Sequence, residues 1–256
     1  MNHPHITLVG AGPGDPELLT LKAVKAIASA SVLLVDDLVS DEVLAHAAPS
    51  ARVVHVGKRG GCTSTPQSFI QKMMVQEAQS GERVVRLKGG DPFIFGRGGE
   101  EVAYLQSHGI AVTVINGITA GLAGMTSLNV SLTHRDHAHG VVFITGHAAP
   151  DSAQAVDWAQ LARTAAQAKL TLVIYMGMKG AAQLQADLLQ GMAASTPVAV
   201  IHQVSLPEQR HIVSSLGEMC ASIAQAQLGS PSVIVVGDVL QGLLQLSHAP
   251  RTEKSA

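Results

Sequence analysis

Charge is scarce in this chain: only 14% of its 256 residues are Asp, Glu, Lys or Arg, and aromatic residues amount to 3%. With so few rings, any core has to be mostly aliphatic. The formal net charge of −2 carries no basic excess, and the Lys and Arg residues are scattered along the chain. That excludes the cationic stripe a nucleic-acid backbone requires. Cysteine is nearly absent, and Cys62 and Cys220 lie far apart in no metal-ligand spacing, which excludes a disulfide framework and a structural zinc site. No apolar run approaches the roughly 20 residues that span a bilayer. The start, Met1-Asn2-His3-Pro4-His5, lacks the basic segment of a secretory leader, so a cytoplasmic chain without membrane attachment is expected.

Aliphatic residues and glycine are plentiful: the chain is 46% hydrophobic and holds 25 glycines, a composition suited to an α/β protein with buried strands and tight turns. Short aliphatic runs predict strands at 6–9, 32–35, 53–56, 84–87 and 112–115. Helices are predicted between them, for example over 16–29 and over 66–80, the second with Thr65 as N-cap and Pro66 in its first turn. The rhythm restarts after Asn116-Gly117, with strands expected at 141–145, 170–175, 198–202 and 233–236. The alternation predicts two α/β domains with mostly parallel sheets. Their expected extents are 1–116 and 117–246, followed by a frayed tail over 247–256, with a ligand cleft between the domains.

The first strand runs into Gly10-Ala11-Gly12-Pro13-Gly14-Asp15-Pro16, a turn whose glycines let backbone approach a ligand closely. One reading is a nicotinamide-dinucleotide fingerprint, with Asp36 or Asp37 as the acidic residue after the second strand. Against it, Asp15 stands where the third glycine belongs, and Pro13 and Pro16 remove backbone donors a pyrophosphate would use. The second cluster is Arg86-Leu87-Lys88-Gly89-Gly90-Asp91-Pro92-Phe93-Ile94-Phe95-Gly96-Arg97-Gly98-Gly99-Glu100-Glu101. It describes a loop between strand and helix that folds around a small ligand and presents both charge signs to it. A plain surface loop would have no need of Phe93, Ile94 and Phe95 at its centre.

Taken with Val54 to Gly61, Gly117-Ile118-Thr119-Ala120-Gly121, Thr133-His134-Arg135 and Tyr175-Met176-Gly177-Met178-Lys179, these blocks resemble, in order and from about Ile6 to Leu240, the tetrapyrrole methyltransferases. The resemblance implies the class III methyltransferase fold, with S-adenosylmethionine between the domains against Pro13, Gly89, Gly90, Asp91, Ile94, Thr119, Ala120 and Met176. Val204 is matched to the adenine-side loop, although it stands where a smaller residue is common. Asn116 and Asn129-Val130-Ser131 also depart from the family pattern, at turns asparagine can sustain. The resemblance further implies Asp36 as proton acceptor and Lys58 as proton donor, and it implies a homodimer.

Within the family, the similarity is to members that methylate uroporphyrinogen III at C2 and C7. Such a polycarboxylated macrocycle calls for fixed cations, for which Lys58, Arg59, Arg97 and Arg135 are candidates, since arginine's planar fork suits carboxylates. Arg97 and Glu100 are expected to work together in catalysis and substrate binding, one on a propionate and the other on a pyrrole N–H. The histidines of 134–139 lack a carboxylate or cysteine partner elsewhere, and methyl transfer from a sulfonium needs no metal, so no metal is expected. A later corrin intermediate as substrate and a nicotinamide-dependent oxidoreductase are the rival readings.

Overall fold

A computed structural model describes residues 4–57, 65–147 and 156–248. The chain divides into two compact units, Met1–Ala120 and Gly121–Ala256. The first contains β1 (His5–Gly10), α1 (Leu21–Ser29), β2 (Val32–Val35), α2 (Asp41–Leu44), β3 (Arg52–His55), α3 (Gln67–Gln79), β4 (Val84–Lys88), α4 (Gly98–Ser107) and β5 (Ala111–Ile115). The five strands form one sheet in the order β3-β2-β4-β1-β5, and every pairing is parallel. Alternate residues serve opposite faces. Ile6, Leu8, Leu34 and Val84 pack with Ile70 and Met74 of α3 and Leu105 of α4, whereas Val9, Leu33, Val35 and Leu87 pack with Ala23 and Ile27 of α1 and Val43 of α2.

Strand β1 leads into α1 on one face and the neighbouring β4 into α4 on the other, which makes their carboxyl ends a topological switch point, the place where ligands of open α/β sheets bind. The same order removes the dinucleotide reading, because that fold places its first strand beside its second and here β4 lies between them. Asp15 adds to this: its side chain accepts from the Glu17 N–H at 2.8 Å and caps a short 3-10 turn over Pro16–Leu18.

That turn also corrects the helix predicted over 16–29. Leu19 is extended, and the Thr20 hydroxyl accepts from Ala23 N–H at 3.1 Å, so α1 starts afresh at Leu21. At α3 the cap residue is Pro66 rather than Thr65, and it makes no side-chain cap hydrogen bond.

The second unit contains β6 (Gly140–Thr145), α6 (Trp158–Ala168), β7 (Leu170–Tyr175), α7 (Ala181–Leu188), β8 (Pro197–His202), β9 (Arg210–Ser215), α8 (Met219–Gln225), β10 (Ser232–Val236) and α9 (Gln241–His248). A further helix, α5 (Ala120–Ser127), begins at the last residue of the first unit. The strand order is β6-β7-β10-β8-β9. Only β6 and β7 pair in parallel, while β10 is antiparallel to both β7 and β8, and β9 is antiparallel to β8. The expectation of a mostly parallel second sheet is corrected to a mixed one. Its strands keep the aliphatic character of a doubly covered sheet: Leu172, Ile174, Val198, Val200, Ile234 and Val236 share one cluster with residues of α6, α7 and α8. Strand β9, Arg-His-Ile-Val-Ser-Ser, escaped prediction because it lies at the edge and has no aliphatic run. Among the described residues, no helix is long and apolar enough to cross a membrane.

Candidate active site

Three strand ends of the first unit are locked together by glycine. A Cβ on Gly117, after β5, would lie 2.2 Å from the Gly90 carbonyl oxygen and 2.8 Å from the Gly10 carbonyl carbon, and one on Gly10 would lie 2.4 Å from Gly117 N. Only hydrogen fits between these backbones. Gly12 and Gly90 exchange backbone hydrogen bonds of 3.2 and 2.7 Å, and Ala11 N–H donates to Lys88 O at 2.8 Å. Both Gly12 and Gly90 are left-handed, at φ +71° and +66°, where a side chain is disfavoured.

This junction brings Pro13, Gly89, Gly90, Asp91 and Thr119 to one edge of the sheet. The only atom within 4 Å of a Cβ built on Gly90 is the Thr119 Cα, at 3.8 Å, so among the described residues that face of the Gly90 backbone is open to a ligand. Ala120 follows Thr119, and Ile94 closes a turn on Asp91, its N–H donating to Asp91 O at 3.2 Å.

Asp91 does not face outward. Its Oδ1 accepts from Phe93 N–H at 2.8 Å, while Oδ2 accepts from Asn116 Nδ2 at 3.1 Å and Gly117 N–H at 3.2 Å. The Asp91 side chain is a buried clamp between the loops after β4 and β5, so a cofactor lying against this residue would meet its backbone, and Asn116, a departure from the family pattern, supplies one of the clamp's donors. Phe93 and Phe95 are also corrected: they are 54% and 40% exposed, so they lie at the surface of the loop they were expected to fill.

Asp36, at the end of β2, belongs to a cluster of four charges that the sequence reading missed. Arg86 and Lys88, two residues apart on β4, share the sheet face of α3 and α4 and are both buried. Arg86 Nη2 donates to Asp36 Oδ1 at 2.7 Å, and Lys88 Nζ lies 3.6 Å from Asp36 Oδ2. Behind them, Glu101 of α4 is fully buried and its Oε1 accepts from Gln67 Nε2 at 2.9 Å, Lys88 Nζ at 3.2 Å and Arg86 Nε at 3.3 Å. Burial, and next the neighbouring Arg86 cation, push the Lys88 ammonium below its ordinary range, against the raising effect of Glu101 and Asp36. Glu101 Oε2 has no hydrogen-bond partner among the described residues, which costs about 1–3 kcal/mol or more for a buried acceptor. The signal that could have found this cluster is the run Val-Val-Arg-Leu-Lys, in which two cations alternate within an otherwise buried strand.

Arg97 and Glu100 are paired with each other. Arg97 Nε donates to Oε1 at 3.0 Å and Nη2 to Oε2 at 2.6 Å, with both side chains more than half exposed. The hydrogen bond from Arg97, ahead of the charges of Arg97 and Lys88, holds the Glu100 carboxyl below its ordinary value of 4.5. Its contribution to stability is therefore present above that value and is lost as pH falls through the lower, folded value. An exposed pair of this kind contributes about 0.2–1 kcal/mol. Glu100→Gln is expected to lower stability by no more than that at neutral pH and by nothing in strong acid, as measured by urea melts at both pH values.

In the second unit, the residues after β7 and β8 leave the sheet at the same edge, because both strands run antiparallel to β10. Met176 follows β7 at φ +55° and is 50% exposed, while Gln203 at +49° and Ser205 at +64° flank Val204 after β8. Left-handed non-glycine residues cost of order 1–3 kcal/mol each and persist where the surroundings over-determine them, typically at ligand sites. Met176 is thus a presented side chain and not a core methionine. Val204 is buried, with Cγ2 3.3 Å from the place a Cβ on Gly124 would occupy, so only its backbone could meet a ligand. Two contacts brace these loops. The Tyr175 hydroxyl accepts from Gly121 N–H at 2.8 Å at the start of α5. The His202 Nδ1 lies 3.0 Å from Pro231 O, which also accepts Gln203 N–H at 3.1 Å.

Arg135 is exposed in the tight loop bridged by His134 and Ala138, and its carbonyl lies 3.1 Å from His139 Nε2. Its guanidinium is not joined to the groups above by any described contact. Lys58, Arg59 and Cys62 lie outside the described residues, as does the tail from residue 249 on. Cys220 is part-buried, and burial pushes its thiol up.

The family described as Tetrapyrrole (Corrin/Porphyrin) Methylases matches residues 5–220. A Pseudomonas aeruginosa protein named uroporphyrinogen-III C-methyltransferase is 52% identical over 240 residues, covering 93% of this chain and 95% of its own. One of the same name from Pseudomonas fluorescens is 48% identical, covering 91% and 92%. Among solved structures, the Thermus thermophilus uroporphyrin-III C-methyl transferase complexed with S-adenyl homocysteine superposes with a TM-score of 0.76 at 35% identity, covering 93% of this chain and 94% of that one.

Proposed function

Because the chain belongs to the tetrapyrrole methylase family, we propose that it transfers methyl groups from S-adenosylmethionine to C2 and then C7 of uroporphyrinogen III, giving precorrin-2 by way of precorrin-1. The observation that carries this reading on the structural side is the interlocked junction of Gly10, Gly90 and Gly117, which gathers candidate cofactor residues at the carboxyl ends of parallel strands. The similarity to two proteins named for this activity supports the substrate.

Each unit, taken by itself, holds residues that suit such a cofactor. Pro13, Gly89, Gly90, Ile94, Thr119 and Ala120 offer close backbone approach, Met176 offers an exposed polarizable thioether to an adenine, and Val204 offers backbone. When bound, the cofactor supplies an electrophilic methyl group. The chain orients the macrocycle beside it and takes away the proton that a methylated, cationic pyrrole must lose. Asp36 is the group for that proton: its carboxylate is 31% exposed and already held on one oxygen by Arg86. Arg97, Glu100 and Arg135, with Lys58 and Arg59 outside the described residues, are the proposed contacts to the substrate's carboxylates and pyrroles, and Lys58 is the proposed proton donor. Arg97 would have to exchange Glu100 for a propionate, a modest cost for an exposed pair.

A homodimer in the cytoplasm completes the proposal, and sedimentation at the mass of one chain would contradict the assembly. The cofactor assignment is tested by melting. S-adenosylhomocysteine at one hundred times its Kd should stabilise the chain by about 2.7 kcal/mol, whereas NAD should leave the melting temperature unchanged. A shift with NAD and none with S-adenosylhomocysteine would overturn the assignment.

A further inference from the structure

The cluster around Asp36 has a layered construction. Asp36 Oδ1 is fixed by Arg86 Nη2 at 2.7 Å, but Oδ2 lies 3.6 Å from Lys88 Nζ, beyond hydrogen-bond reach, so its lone pairs face a cation without being consumed by it. Arg86 cannot turn away. Its Nη1 is shared between the carbonyls of Leu87 at 3.1 Å and Leu34 at 3.3 Å, and its Nε is bound to Glu101 at 3.3 Å. Lys88 is tied to the same Glu101 oxygen. Buried charges held together in this way are commonly no better for stability than apolar side chains of equal volume. Glu101 moreover keeps one oxygen with no donor among the described residues. What the arrangement does provide is a single defined orientation for the one member of the cluster that reaches solvent, which is Asp36.

We propose that Glu101 and Lys88 are positioning residues for proton transfer: Glu101 anchors the two β4 cations, and these hold the Asp36 carboxylate so that Oδ2 meets the proton leaving the methylated ring. This rests on the reading of Asp36 as the proton acceptor. In the step itself, the new carbon–carbon bond uses a pair of pyrrole π electrons and the sulfur keeps the pair of the broken bond. The cationic ring then returns to neutrality by giving one proton to Asp36, leaving the four-charge cluster one positive charge richer until that proton departs.

The test uses the full chain with uroporphyrinogen III and labelled S-adenosylmethionine. Glu101→Gln keeps the size of the side chain and removes its charge, and it should lower kcat by about 10- to 100-fold, as a small misplacement of a catalytic group does. KM for both substrates and the Kd for S-adenosylhomocysteine should stay within about threefold of wild type, since neither residue is placed in their binding. Lys88→Met should behave alike and Lys88→Arg should recover much of the rate. The decisive comparison is in an Asp36→Asn background, where Glu101→Gln should cause no further loss because its effect passes through Asp36.

An equal loss in both backgrounds would overturn the positioning role, as would full activity in Glu101→Gln or a loss accounted for by KM or by melting alone. Should Glu101→Gln fail to fold, the Lys88 pair carries the same comparison. A wild-type chain that moves no label to the macrocycle would instead sink the functional reading on which this one stands.

Discussion

Replacing Gly117 with alanine is expected to lower the stability of the protein by roughly 3–5 kcal/mol, at the upper end of what a single core insertion does. The reason is the identity of the atoms in the way. The added carbon would lie 2.2 Å from the Gly90 carbonyl oxygen and within 2.9 Å of Gly10 Cα, all backbone, so no rotamer change can relieve the overlap. The ends of β1, β4 and β5 would have to separate. Asp91 would then lose at least the Gly117 N–H it accepts at 3.2 Å. The melting temperature should fall by on the order of 10 °C for a chain of this length, and S-adenosylhomocysteine binding should weaken with it. Gly99→Ala is the matched control, because nothing lies within 4 Å of a Cβ there and its backbone is ordinary helix. It should be neutral or slightly stabilising. A Gly117→Ala protein that melts beside wild type would mean that the junction is looser than described.

Asp36→Asn is expected to have the largest effect on activity, lowering kcat by about 10²- to 10⁴-fold, the range for removal of a general base. Asparagine keeps the shape and can still accept from Arg86, so the loss should fall on the chemical step and not on binding. Because the side chain is 31% exposed, water can take over part of the solvation of Arg86 and Lys88, and the fold should survive. Single-turnover transfer of label, measured beside the Kd for S-adenosylhomocysteine, separates the two effects. Unchanged turnover would remove Asp36 from the mechanism.

Much of this architecture was legible in the residues, for physical reasons that also explain the gaps. Strands such as Val32–Val35 and Leu170–Tyr175 are covered on both faces and so appear as unbroken aliphatic runs. Strand direction leaves no such mark. The run 233–236 looks like any parallel strand, and only its pairing shows that β10 lies antiparallel between β7 and β8. The glycines of the first turn are legible as backbone that approaches something closely, but for Gly10 that something is the backbone of Gly117 and Gly90, which requires the register of three strands to see. Asp91 had the composition of a ligand contact, yet burial and three internal donors make it a clamp. The Arg86, Lys88 and Glu101 cluster was overlooked because charge in a glycine-rich segment invites a surface reading, and its burial depends on α3 and α4 packing over that face of β4.

The most direct measurement is nuclear magnetic resonance of the macrocycle after turnover with a donor carrying a 13C methyl group. The account predicts two new methyl signals per macrocycle, both on ring carbons, with two molecules of S-adenosylhomocysteine released. Label found on nitrogen or oxygen, or a macrocycle recovered without label beside a folded, cofactor-bound protein, would contradict it.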